Sequence, residues 1–407
     1  MTNANAGGAD DADQAYVAPQ DRKGVALCLS GGGYRAALFH LGALTRLNEL
    51  GVLSGVDTIS AVSGGSILAA HLADKVRRWP TGGEVICGWQ CNVVEPFLDF
   101  TSRNIRNRPL LKRFLIPWNW FRRGTAVEAL ARTYQAELTG LMLTETTARP
   151  RFIFSATDMV FGVNWVFDTG TRSVGDYQAG YRHFPAWPLA KAVAASSCFP
   201  PLFDPMPLSL KPQELSGGLY DRKNRDGLVS ALSLSDGGVY DNLGLEPAWK
   251  THDTVLASDG GAVFDAERDG GLFWRLNRYA SIAGRQGGAI RKRWLISSFM
   301  NRALKGTYWS VGSAAKHYDP AAIGYPEDLV DRRIADVRTD LDRFSEAEQH
   351  VLMNHGYLVA DAAIRIHAPA LISVKAPLVI PYGKKEMNPA WVDNALRHSS
   401  KRRLFGH

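Results

Sequence analysis

The chain has 407 residues, 45% of them apolar and 21% charged, with a net charge of +7 and a sequence pI near 9.2. This balance excludes a largely disordered chain, a coiled coil and a collagen-like fibre, and the length supports a core that needs no disulfide or metal staple. The basic excess points to anionic partners: phospholipid headgroups, nucleic acid or phosphorylated substrates.

Residues 1–20 read as a flexible tail, polar and acidic, with neither the basic nor the apolar region of a secretory signal. No run reaches the ~20 apolar residues that span a bilayer, so any membrane contact is expected to be peripheral and the location cytoplasmic, with the inner leaflet as the surface touched. Cys28, Cys87, Cys91 and Cys198 lack the spacing of a zinc site and read as free thiols in a reducing compartment. No metal or cofactor is expected.

Structure begins at Val25–Leu29, an apolar run that reads as a buried strand. After Gly31-Gly32-Gly33, the residues Ala37, Leu38, Leu41, Leu44 and Leu47 form a helical stripe, closed at Gly51. A second strand over Asp57–Val62 leads through Ser63-Gly64-Gly65 into a helix ending near Pro80. Strand, turn and helix repeated in this way predict a parallel sheet flanked by helices. Residues 81–150 break the rhythm and read as a helical, basic and aromatic insertion. Strands are predicted at Arg151–Ala156, Asn164–Asp168, Leu232–Ser235 and Thr254–Ser258, and helices over Ala190–Ser197, 272–306 and 345–367. The expected domains are a tail (1–20), a catalytic domain (21–262), a mainly helical extension packed on it (263–396) and a basic tail (397–407).

The turn Gly31–Ala36 fits two chemistries. As G-x-G-x-x-A between strand and helix, with Asp57 about twenty residues on, it matches a dinucleotide fingerprint. As consecutive glycines at a helix N-terminus, it supplies converging N–H groups for an oxyanion, with Arg35 as a fixed cation. The second turn, Ala61-Val62-Ser63-Gly64-Gly65, has the form of a nucleophile elbow and favours the oxyanion reading. No histidine lies in a glycine-rich strand end. His71 points away from Ser63, His40 reads as satisfied or exposed, and His355 and His367 read as helix-surface residues. Two acids compete as base: Asp236, before Gly237-Gly238, and Asp259, before Gly260-Gly261.

Four motifs in order resemble those of the patatin-like phospholipases: Gly31-Gly32-Gly33-Tyr34-Arg35, Ala61-Val62-Ser63-Gly64-Gly65, the stretch Ala194–Phe203, and Asp236-Gly237-Gly238 continued to Gly244. They span roughly 24–262. The resemblance implies a three-layer α/β/α fold with a mainly parallel central sheet and helical insertions. It implies a carboxylic ester hydrolase acting on phospholipids or other lipid esters without metal, through an acyl-enzyme on a Ser63–Asp236 dyad. Gly31, Gly32, Gly33 and Arg35 would form the oxyanion hole, Gly64 and Gly65 the elbow, and Gly237 and Gly238 the acid turn. It also singles out Asp236, because Asp259 lacks the Tyr-Asp-Asn-Leu-Gly continuation. Ala61 and Ala36 replace family glycines, and both are small enough to keep the turns. Some bacterial members are membrane-degrading effectors in phage defence, switched on by a cyclic nucleotide, so that role and an activating ligand are expectations here too.

Two acid-free stretches remain. Arg103, Arg106, Arg108, Lys112, Arg113, Arg122 and Arg123 alternate with Trp118, Trp120 and other apolar residues, and nine Lys and Arg lie between Asp269 and Asp319. Both read as surfaces for anionic lipid, and no motif supports nucleic acid. The rival classes are a dinucleotide-binding oxidoreductase and a catalytically silent membrane- or nucleotide-binding module.

Overall fold

The computed structural model describes residues 22–107, 124–200, 203–261 and 270–401. Arg108 to Arg123, most of the first basic patch, and residues 1–21 and 402–407 lie outside these ranges. Ten strands form one mixed sheet: β1 (Val25–Leu29), β2 (Val56–Val62), β3 (Arg151–Asp158), β4 (Asn164–Asp168), β5 (Ser173–Asp176), β6 (Gly180–His183), β7 (Met206–Pro207), β8 (Ser233–Asp236), β9 (Thr254–Asp259) and β10 (Lys305–Ser310). The order is β10-β9-β1-β2-β3-β4-β5-β6, with β8 on β3 and β7 on β8. The half from β10 to β3 is parallel, and every other pairing is antiparallel.

Strand β1 shows why there are three layers. Its side chains alternate between two cores, as a strand buried on both faces must. Leu27 and Leu29 enter the larger core, while Ala26 and Cys28 enter a smaller one with Leu243, Leu245, Ala248 and Leu295. The larger core holds helices α1 (Gly33–Glu49), α2 (Gly64–Lys75), α3 (Thr125–Glu137) and α4 (Leu189–Ser197). The smaller one is covered in part by α5 (Leu272–Met300), through Leu295.

The C-terminal region is built into this frame. Strand β10 extends the sheet beside β9, and α6 (Glu346–His367) packs across α1. The two helices touch backbone to backbone. A Cβ on Gly42 would sit 1.9 Å from Met353 O, and one on Gly356 would sit 1.9 Å from Phe39 O. Beside this contact the buried Arg46 of α1 binds Asp361 of α6 at 2.7 Å. Helix α1 is therefore buried from Gly33 to Asn48, well beyond its apolar stripe. His355 is buried rather than on a helix surface: its Nε2 meets Val311 O at 2.8 Å, because β10 and its following turn lie on that face of α6.

Both basic stretches are partly neutralised. Arg103 pairs with Asp99 and Glu137, and Arg106 is buried against Asp340 (2.7 Å) and Asp342 (3.3 Å). Arg106 is thus an internal cation and no part of a surface patch. In the second stretch, Arg291 lies over the Tyr240 ring and Lys292 binds Asp259 at 2.5 Å.

Candidate active site

The register of β3 brings Ser63 and Asp236 together. Its edge opposite β4 is shared by two strands arriving from opposite directions. Strand β2 pairs up to Val62 opposite Ser155, and antiparallel β8 pairs up to Asp236 opposite Ala156. Both strands end there, so the residue after β2 and the last residue of β8 meet at one point of the sheet.

Ser63 adopts φ 49°, ψ −114°, a left-handed conformation that non-glycine residues avoid. The turn that forces it on the chain is tight. A Cβ on Gly64 would lie 2.2 Å from Gly33 O, and one on Gly65 would lie 2.2 Å from Leu29 O. The elbow therefore rests directly on the glycine loop, and both positions exclude a side chain. Ser63 is 8% exposed.

Asp236 is 1% exposed. Its Oδ1 accepts the Gly238 N–H at 2.7 Å. Its Oδ2 makes no hydrogen bond of full geometry, yet the carboxyl feels the Ser63 hydroxyl. Burial pushes the pKa up to about 7, against the opposing pull of the Gly238 N–H and Ser63.

The four residues of the glycine loop divide. Gly31 donates its N–H to Asn242 O at 3.0 Å, so that donor is spent. The Arg35 guanidinium is buried and directed away, donating to the carbonyls of Gly260 (2.9 Å), Ala335 (2.8 Å) and Val337 (2.8 Å). Among the described residues, the N–H groups of Gly32 and Gly33 have no acceptor. Residues beyond the four motifs complete the loop. Tyr34 donates its N–H to Asp340 O at 3.1 Å, and Gly33 lies against the carbonyls of Thr339 and Asp340.

His40 and His71 are engaged elsewhere. His40 meets Ser258 Oγ (2.7 Å) and Ser30 O (3.0 Å), and His71 meets Val93 O (2.9 Å). Burial lowers both pKa values to about 4. Asp259, the competing acid, is held by Lys292, by the Tyr308 hydroxyl (2.8 Å) and by the Gly261 N–H (2.9 Å). These partners outweigh its burial and lower its pKa.

Two residues of the site have no place in the local sequence reading. Ser196 bonds the Ser63 N–H through its side chain. Asn242 places its Oδ1 against both Gly31 and Gly238. Each lies inside a quoted motif, which is the only signal that could have marked it.

A mixed sheet with helices on both faces, carrying a serine on its strand-to-helix turn, defines an α/β architecture of three layers. The family model for patatin-like phospholipases matches residues 27–249, and the chain belongs to that family. Among solved structures it is similar to human GIVD cytosolic phospholipase A2, with 13% identity and a TM-score of 0.40 over 94% of this chain and 63% of that one. It is also similar to VipD from Legionella pneumophila, with 15% identity and a TM-score of 0.35 over 86% and 68% of the two chains. The chain thus spans less than two thirds of the human enzyme's length. No curated protein matches it by sequence. Among the described residues no helix is long and apolar enough to cross a membrane.

Proposed function

We propose that Ser63 and Asp236 hydrolyse the carboxylic ester bonds of phospholipids or related lipids through an acyl-enzyme. The observation that carries this reading is the meeting of β2 and β8 on one edge of β3, which sets the elbow serine against a buried carboxyl of raised pKa. The Asp236 carboxylate accepts the Ser63 proton as Oγ attacks the ester carbonyl. The N–H groups of Gly32 and Gly33 hold the oxyanion. Asp236 returns the proton to the departing alcohol, then takes one from the water that attacks the acyl-enzyme and hands it to Ser63 Oγ as the fatty acid leaves. The family match over residues 27–249, rather than the glycine loop by itself, favours this reading over a dinucleotide-binding one.

The same reading puts lipid against Phe199 and Val239. They are 52% and 45% exposed and lie on the segments that follow α4 and β8, within three residues of Ser196 and Asp236. Contact with an anionic bilayer at this mouth is part of the proposal.

The test is incubation with phospholipid vesicles, read as free fatty acid by mass spectrometry, with a fluorophosphonate to mark the nucleophile. Fatty acid release and labelling at Ser63 alone are expected. Labelling that persists in Ser63→Ala would refute the assignment. Phe199→Asp should lower hydrolysis of vesicles and spare a soluble short-chain ester, and equal losses on both would remove the lipid-contact role.

A further inference from the structure

We infer that Ser196 is the positioning residue that sets nucleophile and acid against each other, holding the backbone of Ser63 with its hydroxyl and the backbone of Gly237 with its carbonyl. This rests on the reading of Ser63 and Asp236 as the dyad.

Ser196 lies in the last turn of α4 and is fully buried. A hydroxyl has one proton to give and two sites to accept. The Ser155 carbonyl, 2.6 Å away, can only accept, so the Ser196 proton goes there. The Ser63 N–H fills one acceptor site at 2.9 Å. Ser66 Oγ, at 2.8 Å, must therefore donate into the other. All three capacities are used, by groups from β3, the elbow and α2, and the hydroxyl has no freedom to rotate.

The main chain completes the arrangement. Carbonyls in a last helical turn have no partner within the helix. That of Ser196 accepts the Gly237 N–H at 3.2 Å, next to Asp236. Gly237 in turn rests on Ser155 O, from which a Cβ would be 2.3 Å away. One residue thus ties the residue bearing the nucleophile to the residue following the acid. The Ser63 N–H it holds belongs to a φ of +49°, unfavourable for an L residue, so this anchor adds to the hold of the tight turn. Proton transfer from Ser63 to Asp236 depends on that anchor, because a shift of ~1 Å at a reacting pair can cost ~10²-fold in rate.

The experiment compares Ser196→Ala with Ser197→Ala in the full chain. Ser197 is the adjacent buried hydroxyl, hydrogen-bonded to Val193 O and to the Tyr134 hydroxyl and, among the described residues, not to the elbow. On a soluble ester, Ser196→Ala should lose roughly 10–100-fold in kcat at nearly unchanged KM, while Ser197→Ala stays near the parent at a comparable loss of Tm. The rate of fluorophosphonate labelling at Ser63 should fall by the same factor as kcat. The acid limb of the pH–rate profile should move to higher pH in Ser196→Ala alone, since the Ser63 contact that lowers the Asp236 pKa loosens. A Ser196→Ala kcat within twofold of the parent overturns the assignment, as do kcat losses in both variants that simply follow Tm. If Ser196→Ala does not fold, Ser196→Cys keeps the shape with a weaker acceptor and is read by the same criteria. Failure of the parent to label at Ser63 overturns the dyad reading itself, and is distinct from either result.

Discussion

Strand β8 ends in Asp236-Gly237-Gly238 and β9 in Asp259-Gly260-Gly261, and the two carboxyls are 1% and 2% exposed. In both turns the first oxygen takes a backbone N–H two residues on, from Gly238 and from Gly261. Their electrostatics are nonetheless opposite. Helix α5 brings Lys292 onto Asp259, and β10 brings Tyr308, so its carboxylate is stabilised and its pKa lowered. The largest influence on Asp236 is burial, which raises its pKa to about 7 and keeps it ready to take a proton near neutral pH. The Asp259 turn instead serves as a support: its Gly260 carbonyl receives the Arg35 guanidinium, and its Gly260 N–H goes to Ser30 Oγ. A carboxyl's neighbours, drawn from distant segments, decide whether the same three residues raise its pKa or lower it.

Turnover separates the two turns most widely. Asp236→Asn should lower kcat on a soluble ester by at least ~10⁴-fold and Asp259→Asn by less than about tenfold. Equal losses would erase the distinction.

Stability should show the mirror image. Asp236 holds its proton more tightly folded than unfolded, so its contribution is complete below pH 3.8 and is lost as pH rises through about 7. Denaturant unfolding at pH 8 should then find Asp236→Asn more stable than the parent, by up to roughly 4 kcal/mol, with the gain gone near pH 4. Asp259 runs the other way: its contribution is present above the usual carboxylate range and lost as pH falls through its depressed folded value. Asp259→Asn should cost roughly 1–3 kcal/mol at pH 8, because it removes the partner of Lys292.

The pH–rate profile sharpens the contrast. In the parent, kcat/KM should rise about tenfold per pH unit and level off near 7 as Asp236 ionises. Lys292→Met should leave that midpoint in place, since Lys292 meets the other aspartate. A midpoint that moves with Lys292 would make Asp259 the titrating base. The smallest effect expected is that of Tyr308→Phe, a loss of about 1 kcal/mol in unfolding free energy with kcat unchanged.

Much of the sheet was legible in the chain. Val25–Leu29 and Asn164–Asp168 are strands with the predicted limits, and the turns at Gly31 and Ser63 fall where strand gives way to helix. Such features are local: an apolar run, a helical stripe and a cluster of glycines are written in neighbouring residues. Strands β5 and β6 escaped because Ser173–Asp176 and Gly180–His183 have no apolar run and gain their strand character by pairing. The edge strand β10, Lys305–Ser310, was hidden behind a helix-like segment.

By itself the sequence determined β1, β2 and the helices that follow them, the elbow serine and two equivalent candidate acids, which only the family resemblance ranked. Tertiary structure decided what those residues became. It met β2 and β8 end to end on β3, gave Asp259 a lysine and Asp236 a serine, turned Arg35 toward carbonyls 225 to 302 residues away, and buried Arg106 against two aspartates more than 230 residues on. The physical reason is common to all of them. Charge, burial and hydrogen-bond satisfaction are properties of a neighbourhood in space, and residues this far apart become neighbours only once the chain has folded.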